Sequence, residues 1–213
     1  MKRSNARRGH SLIELCIALT LLIIVLGLPA LLLDTSSRAF STGSRSSEVD
    51  LAARRALDTI AERLSGSGAG EIDALPGQPN SSVVFRTATG FAGGAIVWSN
   101  DERIELVPEP GELVDGADND GDGLIDEHRL LWTRDLGLAS ERTQVLCTRV
   151  RRSLEGEIPG NLKDDNGNDF TDEAGLMITV DGESIGLALT VERRDAFGTA
   201  ILHTARRTVA LRN

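Results

Sequence analysis

Between Leu15 and Leu33 the chain carries no charge, and only Cys16, Thr20, Gly27 and Pro29 interrupt the large aliphatics. A run of this kind has few ways to fold, because its side chains demand an apolar surrounding on every face. As a helix rising about 1.5 Å per residue it would span about 28 Å, close to the roughly 30 Å hydrocarbon core of a bilayer. Lys2, Arg3, Arg7 and Arg8 precede it, which predicts a cytoplasmic N-terminus with the rest of the chain exported. A secretory signal has a shorter apolar core of about 7–15 residues and a small-x-small cleavage site. Leu28-Pro29-Ala30-Leu31 makes a poor site of that kind. A single-pass anchor is therefore expected.

One carboxylate, Glu14, lies at the head of the run, five residues after Gly9. An acid placed there is costly unless it has a function. Arg7-Arg8-Gly9-His10-Ser11-Leu12-Ile13-Glu14 resembles the N-terminus of type IV pilins and of the pseudopilins of type II secretion systems. The resemblance implies cleavage after Gly9 by a prepilin peptidase and N-methylation of His10. It also implies that Glu14 sets the register between subunits by pairing with the amine of a neighbour's His10. His10 departs from the family pattern, which has phenylalanine at that position. Other pilins or pseudopilins and the inner membrane are the implied partners, with the C-terminal domain in the periplasm.

Further along, Val49, Ala52, Ala53, Ala56, Leu57, Ile60 and Leu64 recur at helical spacing, with Glu48, Asp50, Arg54, Arg55, Asp58, Glu62 and Arg63 largely opposite. Ser65-Gly66-Ser67-Gly68 ends this pattern. Beyond it, short apolar or alternating runs at 82–87, 95–99, 103–107 and 129–134 predict strands. A hairpin is expected around Asp181-Gly182-Glu183-Ser184, and a last strand over 199–211. The stretch 144–153 reads equally as strand or helix. The expected class is α+β, a long N-terminal helix with a membrane half and an amphipathic half, packed on an antiparallel sheet. In element order this resembles the J-type minor pseudopilin. The expected divisions are a leader over 1–9, a membrane and assembly helix over 10–33, its amphipathic continuation over 34–67, and a sheet domain over 68–213.

Two acidic segments repeat within that domain, in loops expected over 115–127 and 161–173. Asp118, Asp120, Asp122, Leu124, Asp126 and Glu127 match Asp164, Asn166, Asn168, Phe170, Asp172 and Glu173. Oxygen side chains on alternate residues of a tight loop converge on one hard cation, and the seventh residue offers its carbonyl. Position twelve is Arg129 or Gly175, so neither segment is a complete EF-hand loop. Asp-Glu at positions nine and ten makes them resemble the calcium repeats of thrombospondin type 3 and dockerin modules. Two separate Ca2+ sites are expected, the second weaker because it has fewer carboxylates.

The net charge of −9 argues against nucleic acid as a partner. Cys16 and Cys147 are not expected to pair, and His10, His128 and His203 form no recognisable catalytic set. No nucleophile elbow, phosphate loop or dinucleotide fingerprint occurs. The expected function is that of a structural subunit in a type II secretion or type IV pilus filament, not an enzyme. The alternative is a membrane-tethered calcium-binding adhesion or scaffold protein that does not polymerise.

Overall fold

The computed structural model describes residues 11–195 and 197–211, with the side chains of 27–31 excepted. The chain divides into two compact units, 1–43 and 44–213. Helix α1 (Leu12–Ser65) is the N-terminal element. In the first unit its large apolar side chains from Leu12 to Leu26 are 50–81% exposed. Gly9 and His10 lie outside the described residues.

In the second unit the strands dominate. They are β1 (Ile72–Asp73), β2 (Ser82–Phe85), β3 (Ala88–Ala92), β4 (Ala95–Trp98), β5 (Glu102–Pro108) and β6 (His128–Arg134). They continue with β7 (Arg142–Val150), β8 (Leu176–Asp181), β9 (Ser184–Arg194) and β10 (Ala200–Ala210). Among the described residues, eight strands form one antiparallel sheet in the order β1-β2-β5-β6-β7-β9-β10, and β8 also pairs with β9. The remaining two, β3 and β4, pair as a separate hairpin.

The long strand β9 organises this sheet. Along one edge it pairs with all of β10. Along the other it takes β8 over Ser184–Leu189 and then the end of β7, where Val150 meets Val191. Strands β7 and β8 therefore follow one another along the same edge. The segment joining them, 151–175, leaves the sheet at that junction. The end of β7 also faces the start of β6, His128 opposite Val150, and Pro108 of β5 lies opposite His128. Both long acidic connections thus emerge at one end of the sheet.

Alternation decides which side chains go inward. Ile185, Leu187, Leu189 and Val191 occupy every second position of β9 and are all buried in the main core. They meet Leu176 and Ile178 of β8, Phe85, Ile104 and Leu130 from the other strands, and the helical stripe Val49, Ala53, Leu57, Ile60 and Leu64. The Arg63 guanidinium lies 4.2 Å from the Trp132 ring centroid, and the Trp132 indole N–H donates to Glu102 at 2.8 Å. On the other face a smaller cluster of Leu154, Met177 and Ala188 takes in Phe170.

Two expectations are corrected here. The fold is mostly β, not an α+β layout in which a long helix packs along a sheet. Among the described residues, those that the helix gives to the buried core run from Val49 to Leu64. The physical reason is that 34–47 supplies almost no apolar stripe: Asp34, Thr35, Ser36, Ser37, Arg38, Ser41 and Thr42 gain nothing from a sheet face. The expected single-pass inner-membrane placement is also corrected. Among the described residues no helix is long and apolar enough to cross a membrane.

The hairpin about Gly182 and the long last strand are found as expected. The ambiguous 144–153 resolves as the end of β7 and a strap leading out of it. Residues 88–92 pair as a strand that alternation does not reveal, because all five of its residues are exposed.

Candidate metal centre

The first acidic connection, between β5 and β6, folds around Asp118. The backbone amides of Gly121 and Gly123 donate to its two carboxylate oxygens, at 2.6 and 2.9 Å. Such turns need left-handed backbone, and Gly121 and Gly123 supply it at φ 81° and 92°. The ring is closed by Asp126, whose Oδ1 accepts from the amides of Asp115 and Gly116, both at 2.9 Å. Arg152 donates to the other oxygen of Asp126 at 2.8 Å. Burial works against the Asp126 carboxylate, but the Gly116 amide, the Arg152 guanidinium and the Asp115 amide outweigh it. They hold its pKa below the ordinary carboxylate value.

Among the described residues, two acidic clusters able to hold a metal ion result. Asp118, Asp120 and Asp122 form the exposed one, and Glu112, Asp120 and Glu127 form the buried one. In each, one oxygen per residue lies within 4.8 Å of the others. Glu112 and Glu127 are only 6% and 2% exposed. The amides of Asn119 and Asp120 donate to Glu112 Oε1, both at 2.9 Å, while Glu112 Oε2 and both Glu127 oxygens are buried with no hydrogen-bond partner. Burial raises the Glu127 pKa to about 7, reinforced by the charges of Asp122, Glu112 and Asp120. Carboxylate oxygens left bare and crowded in this way have lost their water and gained no donor. An oxygen-only donor set suits a hard cation, and nitrogen or sulfur ligands do not enter it. The His128 Nδ1–H is turned away to donate to the Asp126 carbonyl at 2.8 Å.

The second connection repeats this framework. The amides of Gly167 and Asp169 donate to the two oxygens of Asp164, at 2.6 and 2.7 Å. The amides of Asn161 and Leu162 donate to Asp172, at 3.1 and 2.8 Å. Asp169 stands where the first loop has Gly123, yet keeps the left-handed backbone at φ 71°. Leu162 likewise matches Gly116, at φ 57° against 84°. Burial opposes the Asp164 carboxylate too, but the amides of Asp169, Gly167, Asn168 and Asn166 pull its pKa below the usual value.

The structure thus redistributes the expected ligands. Asp120 and Asp122 converge with Asp118, and Asp120 also meets Glu127 and Glu112. Asp126 and Asp172 serve as loop staples, taking backbone donors, and Asp126 belongs to neither cluster. Leu124 is buried, and Phe170 packs against the small cluster on the outer sheet face. Their apolar side chains therefore anchor the loops, beyond any role of their carbonyls. Glu112 was missed by the repeat spacing because it precedes the repeat. A signal was present: Gly111-Glu112-Leu113 and Gly156-Glu157-Ile158 precede the two segments alike.

Comparison with family models, curated proteins and solved structures finds no match for the chain.

Proposed function

We propose that this chain is a filament subunit with a pilin-type N-terminus. Prepilin peptidase cuts it after Gly9 and the new N-terminus at His10 is methylated. It then assembles with other pilins or pseudopilins of a type II secretion system or type IV pilus. The observation that carries the reading is the series of exposed apolar side chains from Leu12 to Leu26, with Glu14 in its first turn. A stretch this apolar calls for a partner surface. Helices of neighbouring subunits supply one, and Glu14 pairs with a neighbour's N-terminal amine to set their register. The sheet unit is what such a filament displays.

In this reading the cation of the first loop is calcium, held by Glu112, Asp120 and Glu127 with Asp118 and Asp122 beside them. The ion neutralises carboxylates that otherwise repel one another and so braces the unit by mass action. Coexpression of the full chain with a prepilin peptidase tests the processing. Mass spectrometry of the product is expected to find His10 at the N-terminus, and Gly9→Leu is expected to leave the precursor intact. A product that retains Met1 despite an active peptidase refutes the reading.

A further inference from the structure

We propose that the connection over residues 156–173 is a second divalent-cation site, with Glu157, Asn166 and Glu173 as its side-chain donors. It rests on the reading of the first loop as a calcium site, and it names a donor set different from the one the repeat spacing suggests. The starting observation is that the hydrogen-bond framework of the first loop recurs around a residue outside the repeat. The amides of Asp165 and Asn166 donate to Glu157 Oε1, at 3.2 and 3.0 Å, as those of Asn119 and Asp120 do to Glu112, and the Asp172 amide adds a longer contact to Glu157 Oε2 at 3.3 Å. Glu157 is 2% exposed. The flanking glycines approach the same positions: a Cβ on Gly156 would lie 2.9 Å from that of Asn166, and one on Gly111 would lie 3.3 Å from that of Asp120. Asn166 therefore occupies the place of Asp120, and Glu157 that of Glu112. The Leu154 amide donates to the Glu173 carbonyl as the Glu109 amide does to that of Glu127, both pairs anchoring the loop's far end.

A second observation points to a ligand. Glu173 is 2% exposed, and its Oε2 is buried without a hydrogen-bond partner. Its other oxygen accepts from the Asn168 amide, which turns the carboxylate into the loop. Both side-chain polar atoms of Asn166 are also buried and without partners. Burying an amide and a carboxylate oxygen this way is unfavourable unless something polar joins them. One divalent cation satisfies the amide oxygen and both glutamates at once. An anion is excluded by the two carboxylates, and a soft metal by the absence of nitrogen or sulfur donors in the set. Two carboxylates and a neutral amide replace the three carboxylates of the first loop. The second site is therefore the weaker, because ligand charge sets calcium affinity.

Calorimetric titration of the chelator-treated full chain with calcium chloride tests this. Two ions per chain of unequal affinity are expected, with Glu173→Gln removing only the weaker and Glu127→Gln only the tighter. Asn166→Asp restores the third carboxylate and is expected to tighten the weaker site by about tenfold. This gain does not depend on whether Glu173→Gln folds. A single ion that survives Glu173→Gln and is lost in Glu127→Gln overturns the second site and leaves the first standing. A single ion with the opposite dependence overturns the first-loop reading and supports the second. No binding at all sinks both.

Discussion

Replacing Glu127 by glutamine should stabilise the ion-free protein and weaken its response to calcium, a reversal of sign that few substitutions produce. The Glu127 carboxyl titrates at about 7 in the folded chain against an ordinary 4.5. The folded state therefore holds this proton more tightly than the unfolded state does. Stability from it is complete below the unfolded value, declines as pH rises from 4.5 towards 7, and is gone above that. Across such a window one group changes the folding free energy by about 3 kcal/mol. Glutamine carries no charge, so above pH 7 the variant escapes this penalty. Its amide also points among the acceptors Glu112 and Asp120. For a unit of this size, about 3 kcal/mol corresponds to roughly 6–12 °C in melting temperature. Circular dichroism melts in a calcium chelator at pH 8 should show Glu127→Gln melting higher than the wild type by that margin. At pH 4.5 the gap should close. With calcium at about a hundred times the dissociation constant, the wild type should gain about 2.7 kcal/mol and the variant clearly less. A variant that melts below the wild type in chelator at pH 8, or a gap equally large at pH 4.5, refutes the reasoning.

Two further outcomes bear on the fold. A Cβ on Gly175 would lie 1.8 Å from the Arg151 carbonyl oxygen, so Gly175→Ala should destabilise by about 3 kcal/mol in urea unfolding. An unchanged urea midpoint would show that the strap over 151–154 does not lie against β8. Ile60 is fully buried in the core shared by helix and sheet, and Ile60→Ala should lower stability by about 2–5 kcal/mol in the same assay. The exposed Leu51→Ala, one helical face away, should change it by less than about 0.5 kcal/mol.

Much of this chain is written in local pattern. The stripe from Val49 to Leu64 marks a buried helical face because its spacing matches the helix period, and the structure buries that face. Strand β9 is legible for the same reason, its alternating Ile185, Leu187, Leu189 and Val191 matching the pleat. The acidic repeats announce themselves because alternate oxygen side chains suit a tight loop. Other features have no local signature. That β7 and β8 share one edge of β9, bringing both acidic connections to one end of the sheet, follows from long-range pairing. The division of labour within each loop is decided by which carboxylates meet backbone amides. Asp126 and Asp172 meet them and become staples, while both oxygens of Glu127 and one of Glu173 are buried without a partner.

By itself, then, the sequence determined the residue types, the two periodicities and the duplicated acidic spacing, including the junction from Gly9 to Glu14. Only the tertiary structure decided that the class is mostly β. Only it brought Glu112 and Glu157 into the loops from outside the repeats. Covalent order sets which side chains are near along the chain, whereas burial and unsatisfied oxygens arise only when distant segments close over them.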